Sequence, residues 1–84
     1  MKNFNLTITL SQKKIFQDKV ISEITVPAKE GWLTVLAGHA PLLAILKKGK
    51  IKIIKKENNR QEFEIEEGFI EVTEQGVTIL AKKA

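Results

Sequence analysis

The sequence predicts an all-β domain, a flattened β-sandwich or barrel of about nine to ten short strands. Apolar and polar residues alternate along most of the chain, turn residues separate the alternating segments, and no segment keeps the ~3.6-residue period of a helix. The 84 residues suffice for one small domain. We therefore expect residues 1–84 to form a single β-sandwich domain.

Composition limits the possible functions. The chain carries 14 basic and 10 acidic residues, a formal charge of +4. It has no cysteine and one histidine, which excludes disulfides, thiolate metal sites and multi-histidine metal sites. No apolar run approaches the ~18 residues of a membrane span, and the first residues lack the apolar core of a signal peptide. A domain this small has little core to spare for an internal cavity, so we expect its function on the surface.

The first strands follow from the alternation. Residues 4–10 place four apolar side chains on one face, and 11–14 read as a turn. Residues 15–16 are predicted to form a short strand. The next strand should end at Pro27, with Val20, Ile24 and Val26 on one face and Ile21 on the other.

The segment from 28 to 49 is less regular. Residues 32–36 can form a short strand, and 37–41 cannot form a regular element because they contain glycine and proline. Residues 42–46 are an apolar cluster, and 47–49 are a turn.

A hairpin follows, for which we predict the loop Glu57-Asn58-Asn59. This loop places Lys56 opposite Arg60. It also pairs Ile53 with Phe63 and Ile51 with Ile65 on one face, and Lys52 with Glu64 and Lys50 with Glu66 on the other. An odd loop length is favoured because a slip of one residue would turn every side chain to the wrong face.

The last two strands are predicted at 69–73 and 77–81. A turn at Gln75-Gly76 pairs Val72 with Ile79 and Thr73 with Thr78. Gly68, just before this pair, predicts a bend or bulge.

The residues favour no catalytic site. His39 is the only side chain with an ordinary pKa near neutrality, and no serine or threonine lies in a recognisable nucleophile motif. The lysines between 47 and 56 suggest an alternative, a small β-barrel that binds single-stranded nucleic acid. The predicted register opposes it, because Lys50 and Lys52 would face glutamates.

Two side chains in the irregular segment are candidates for contacts. Trp32 follows a charged turn, and we expect it to be exposed, as in a protein-binding loop. His39 either contacts a partner or anchors its loop by bonding to the backbone.

The same residues resemble a known family. Gly38-His39-Ala40-Pro41-Leu42-Leu43, about ten residues after Val26-Pro27, is similar to the N-terminal domain of the epsilon subunit of F-type ATP synthases. The similarity continues through 46–51, 68–72 and 76–81, in order and over essentially the whole chain.

The resemblance implies a role without catalysis. Such a domain belongs to the central stalk, couples proton translocation to ATP synthesis, and binds the gamma subunit and the membrane rotor ring. It implies no cofactor, metal, nucleotide or nucleic acid, and no insertion into the membrane. It also implies a peripheral location on the cytoplasmic face of the bacterial inner membrane. The implied ring contacts are Glu30, Gly31 and Trp32, and the gamma-side or loop-anchoring residues are His39, Ala40, Pro41 and Leu42.

The sequence departs from the family pattern in several places. Trp32 stands where the family usually has glutamate, which would change the ring contact towards apolar packing. Thr34 and Glu67 replace glycines, and Ala37 replaces a proline. Family members usually continue as a helical hairpin. If the sequence is complete, we expect a short form that neither binds ATP nor inserts an inhibitory helix; if it is part of a longer chain, the regulatory segment lies outside these residues.

Overall fold

The computed structural model describes residues 3–55 and 59–84, and it contains seven β-strands there and no helix. The strands are β1 (Phe4–Leu10), β2 (Lys13–Ala28), β3 (Gly31–Leu36), β4 (Leu42–Leu46), β5 (Gly49–Lys55), β6 (Asn59–Thr73) and β7 (Gly76–Lys83). The prediction of an all-β sandwich is confirmed. The number of strands is lower than the nine to ten predicted, because β2 and β6 each join segments that the sequence suggested were separate.

Both long strands belong to two groups of strands. β2 pairs with β1 through its first half and with β3 and β5 through its second half. β6 pairs with β5 through its first half and with β4 and β7 through its second half. All of these pairs are antiparallel, whereas β1 and β7 run parallel. The result is a β3-β2-β5-β6 layer and a β4-β6-β7-β1-β2 layer, which we call layer one and layer two.

The core lies between the two layers and is entirely apolar among the described residues. Each strand alternates, so one face turns inward and the other outward. A large aliphatic side chain buried in this way contributes roughly 1.5–3 kcal/mol. The buried residues are Leu6, Ile8, Leu10, Ile21, Ile24, Val26, Val35, Leu46, Ile51, Ile53, Ile65, Ile70, Val72, Val77 and Ile79.

A bulge in β2 corrects the predicted facing of its residues. Ile21 is fully buried together with Ile24, whereas Val20 is exposed. The pairing with β5 shifts between Ile21 and Glu23, so Ser22 is the additional residue. The Ser22 hydroxyl donates to the carbonyl of Ile54 at 2.9 Å. The bulge therefore returns Ile21 to the core, which simple alternation could not predict.

The β5–β6 hairpin keeps the predicted faces but not the predicted partners. Ile51 lies opposite Phe63 and Ile53 opposite Gln61, while Lys50 and Lys52 lie opposite Glu64 and Glu62. The register is two residues away from the prediction, a slip that leaves every side chain on the same face. Phe63 packs instead edge-on against Phe16 of β2, with ring centroids 5.7 Å apart. The predicted loop residues Glu57 and Asn58, and Lys56 before them, lie outside the described residues, whereas Asn59 pairs with Lys55 in the hairpin.

The β6–β7 turn also lies elsewhere than predicted. Val72 pairs with Val77 and Thr73 with Gly76, so the turn is Glu74–Gln75 rather than Gln75–Gly76. The Thr73 hydroxyl accepts from the amide of Gln75 at 3.2 Å and donates to the carbonyl of Gly76 at 3.3 Å. These bonds inside the turn hold it in place.

Gly68 lies where β6 and β7 approach closely. The pairing of these strands shifts between Ile65 and Glu67, so the predicted irregularity comes slightly before the glycine. A Cβ at position 68 would lie 2.6 Å from Cα of Ala81 and would also meet the carbonyl oxygen of Leu80. Only glycine fits there without a shift of the backbone.

Candidate docking surfaces

Two turns meet at one end of the sandwich. The β2–β3 turn contains Lys29 and Glu30, and the β4–β5 connection contains Lys47 and Lys48. The amide of Lys29 donates to the carbonyl of Ile45, and the amide of Lys47 donates to the carbonyl of Pro27, both at 2.8 Å. These bonds join the two turns, and we call the four residues Lys29, Glu30, Lys47 and Lys48 the tip.

Pro27 and Gly49 complete the base of the tip. Pro27 is buried. The sequence predicted that β2 ends at Pro27, and the strand in fact ends one residue later, at Ala28. Gly49 packs against it so closely that a Cβ at position 49 would lie 2.9 Å from the Pro27 Cβ. The close contact brings the start of β5 against the end of β2.

Trp32 lies next to the tip on the outer face of layer one. Its side chain is 62% exposed, so the prediction that it is exposed is confirmed. The Lys52 ammonium lies 5.3 Å from the centroid of its ring. The indole is thus held by a cation–π contact at the surface rather than by the core.

A groove of about 460 Å³ opens beside Trp32, between the edges of β3 and β4. These two strands do not pair with each other. Glu30, Gly31 and Trp32 line one side of the groove, and Leu42 and Leu43 line the other. The structure therefore brings the three residues that the sequence assigned to the ring together with Leu42, which the sequence assigned to the gamma side.

The remaining gamma-side residues lie at the other end of β3. Residues 37–41 are irregular, as predicted, and Gly38 has a φ of +85°, which favours glycine. The backbone amide of His39 donates to the carbonyl of Leu36 at 3.1 Å. The Nδ1–H of the His39 ring donates to the carbonyl oxygen of Ala40, which lies 2.6 Å from Nδ1. His39 is therefore hydrogen-bonded to the backbone of its own loop through both its amide and its ring.

This loop borders a second groove of about 570 Å³. Its other walls come from the β6–β7 turn and from the start of β1. Residues 38–41 and 72–77 line it together with Asn3, Phe4 and Asn5. His39, Ala40 and Pro41 are thus separated from Glu30 by the length of β3, about 20 Å for six residues.

An apolar outer face on layer two was missed by the sequence reasoning. Ile45 lies opposite Phe69, and Phe69 lies opposite Leu80, so the three form one row across β4, β6 and β7. Ile45 is 62% exposed, and Leu43, one step along the same face of β4, is 70% exposed. Consecutive apolar pairs such as 42–43, 69–70 and 79–80 were the available signal, because they place apolar groups on both faces of a strand.

Charge is partly balanced on the outer face of layer one. Lys50 lies opposite Glu64 on the neighbouring strand, and its Nζ is 3.7 Å from an oxygen of Glu62. The lysines of β5 therefore do not form a continuous basic stripe. Within residues 3–55 and 59–84, no group of three or more His, Cys, Asp or Glu side chains could hold a metal ion, and no helix could cross a membrane.

Comparison with known proteins places this geometry in a family. Residues 3–84 match the model of the ATP synthase delta/epsilon chain β-sandwich domain. The chain belongs to this family. The resemblance read from the Gly38–Leu43 motif is thereby confirmed, and the fold of the delta/epsilon β-sandwich domain is the one described above.

Relatives support the assignment to the delta/epsilon family. The ATP synthase epsilon chain of Protochlamydia amoebophila is 41% identical over 78 residues, which cover 93% of this chain and 52% of that protein. The ATP synthase epsilon chain of Chlorobium limicola is 42% identical over 72 residues, covering 86% of this chain and 81% of that protein. With the exception of the latter, this delta/epsilon domain spans about half to 60% of the length of the curated relatives compared.

Solved structures agree on the fold. A chain in the cryo-EM structure of Euglena gracilis mitochondrial ATP synthase, OSCP/F1/c-ring, superposes with a TM-score of 0.82 at 27% identity. The match covers 96% of this delta/epsilon domain and 50% of that chain.

Proposed function

We propose that this chain acts as the epsilon subunit of an F-type ATP synthase, a rotor component that transmits rotation without performing chemistry. The observation that carries this proposal is the delta/epsilon family match over residues 3–84. The chain would bind the gamma subunit and the membrane rotor ring, and it would lie on the cytoplasmic face of the bacterial inner membrane as part of the complex.

Two features of the surface support two separate contacts. The tip, Trp32 and the groove beside it lie at one end of β3, and the His39 loop lies at the other. A subunit that couples two partners needs such separated surfaces on a stiff body. The apolar core and the two strands shared between layers supply the stiffness.

We assign the ring contact to Glu30, Gly31 and Trp32. Exposed tryptophan is the side chain most often found at the energetic centre of protein interfaces. Trp32 contributes little to the core because it is largely exposed. Its removal should therefore weaken assembly more than it weakens the fold.

We assign the gamma-side contact to the loop of His39, Ala40 and Pro41, with Leu42 at its end. The hydrogen bonds of the His39 amide and ring to backbone carbonyls support an anchoring role. A histidine that only anchors the loop would lower the melting temperature when it is replaced. A histidine that also touches gamma would lower gamma binding by more than the loss of stability explains.

The experiment compares Trp32→Ala with Leu36→Ala. Both residues lie exposed on the same face of β3, at its two ends, so the second substitution is a matched control. Purified ring and gamma subunits are captured with each variant, and thermal melts are recorded in parallel. We expect Trp32→Ala to reduce ring capture about tenfold or more and to leave gamma capture and melting nearly unchanged. Equal ring capture by wild type and Trp32→Ala would refute the assignment of the ring contact.

A further inference from the structure

We infer that the tip is a cationic recognition site for a carboxylate-bearing loop of the rotor ring. This inference rests on the proposed function, because it names the chemistry of one partner of that function. It concerns Lys29, Lys47 and Lys48, none of which the assignment of the ring contact above uses.

Charge is concentrated at the tip. Its three amines and the single carboxylate of Glu30 leave a formal charge of +2, half of the +4 of the whole chain, on four residues. All four side chains are exposed. Among the described residues, the two ion pairs present involve Lys50 and Lys55, so neither uses an amine of the tip.

Neighbouring groups do not cancel this charge. Glu66 and Glu67 of β6 follow Ile65, which lies near the tip because it pairs with Gly49. The β7 lysines lie against this part of β6, Lys82 opposite Glu67 and Lys83 opposite Ile65. The two glutamates and two lysines together add no net charge, so the excess at the tip remains.

The tip is also rigid. Two main-chain hydrogen bonds join its two turns, and Gly49 is packed against Pro27 beneath them. The backbone of the two turns that carry the three lysines is therefore held in place before a partner binds. Less conformational entropy is lost on binding than for lysines on an unconstrained loop.

The shape next to the tip favours a protein loop over a lipid surface. The groove between β3 and β4 is concave and carries Trp32 and Leu43 on its walls. A protruding loop could place an apolar side chain in this groove and its carboxylates against the amines. A flat bilayer surface has no part that enters such a groove, so lipid headgroups become the competing outcome of the test.

The first experiment measures binding of the whole chain to the purified rotor ring of the same ATP synthase. The Lys47→Gln/Lys48→Gln variant is compared with Lys13→Gln/Lys14→Gln, which removes the same charge from exposed positions at the start of β2. We expect the tip variant to bind about tenfold more weakly and the control to bind as wild type does. Wild-type affinity should also fall by a similar factor when the salt concentration is raised, because exposed charges are screened.

The second experiment identifies the partner groups. A water-soluble carbodiimide joins an amine and a carboxylate that are already in contact. The expected product links Lys29, Lys47 or Lys48 to an aspartate or glutamate in a loop of the ring subunit, as mapped by mass spectrometry.

The possible results are separable. Ring binding that is insensitive to salt and to the tip variant, with no cross-link from the tip, overturns the cationic site but leaves the proposed function intact. Equally tight binding of the wild type to vesicles of anionic phospholipid without the ring overturns it in favour of a lipid surface. Failure of the wild type to bind the ring under any condition refutes the ring contact of the proposed function itself.

Discussion

The ammonium group of Lys52 lies 5.3 Å from the centroid of the Trp32 ring, across β2, the strand with which both of their strands pair. The contact fixes the orientation of the one tryptophan in the chain. It also places a positive charge beside a fluorophore that is mostly exposed.

Tryptophan fluorescence gives a direct test of this relationship. We expect iodide to quench Trp32 about 1.5- to 2-fold more efficiently in the wild type than in Lys52→Met, because the ammonium raises the local concentration of the anion. Acrylamide, which is uncharged, should quench both proteins equally. Equal iodide quenching would mean that the ammonium does not reside at the ring in solution.

The β2 bulge predicts opposite roles for two adjacent residues. Ile21→Ala should destabilise the protein by about 2–5 kcal/mol, because it removes buried methyl groups and leaves a cavity. Val20→Ala, on the exposed side of the bulge, should change stability by less than about 1 kcal/mol. Urea unfolding of both variants decides the matter, and a larger loss for Val20→Ala would mean that β2 alternates without a bulge.

Gly68 is predicted to tolerate no side chain. Gly68→Ala should lower the free energy of unfolding by about 2–3 kcal/mol, since its Cβ would overlap the backbone of Leu80 and Ala81. Glu67→Ala, at the neighbouring exposed position, is the control and should have an effect within about 0.5 kcal/mol. Because the overlap is with backbone atoms, adding Ala81→Gly should restore only part of the loss. Full stability of Gly68→Ala would contradict the close approach of β6 and β7.

Asp18 should make stability depend on acid pH. The Lys55 ammonium, 2.7 Å from its Oδ2, and then the amide of Val20 lower the pKa of this carboxyl below its ordinary value of 3.8. A pKa that is lower in the folded state adds stability above the unfolded-state pKa, and this stability is lost as the pH falls through the folded-state pKa.

The Asp18 contribution is measured by difference. Asp18→Asn should be less stable than wild type near neutral pH, and the gap should close as the pH falls below about 3.8. Denaturant unfolding across this range records the gap, and the same substitution in a Lys55→Met background should show a smaller one. A gap that stays constant down to the acid limit would be inconsistent with the ion pair.

The faces of the strands could be predicted from the sequence, whereas the partners could not. Burial depends on parity, so Ile51, Ile53 and Phe63 were assigned to the correct side. A slip of two residues keeps that parity, which is why both hairpin registers were wrong by this amount. Nothing in the alternation marks Ser22 as a bulge, because its hydrogen bond to Ile54 is made across 32 positions of the chain.

For the candidate site, too, the local features could be predicted from the sequence, whereas the features that depend on distant segments could not. The exposure of Trp32 and the irregular loop at 37–41 followed from local chemistry. The joining of the 29–30 and 47–48 turns did not, because it depends on hydrogen bonds between segments 16 or more residues apart in sequence. The apolar row of Ile45, Phe69 and Leu80 needed the strand order, which periodicity does not supply.

The parallel pairing of β1 with β7 has a consequence for biosynthesis. β1 leaves the ribosome before β7, so five of its residues, 6–10, are synthesised well before their partners Val77–Ala81. During translation, the edge of β1 that β7 later covers therefore remains open to pairing with other nascent chains. Completion of the sandwich must follow emergence of the seventh strand, so a chaperone that shields β1 until then would raise the yield of native protein.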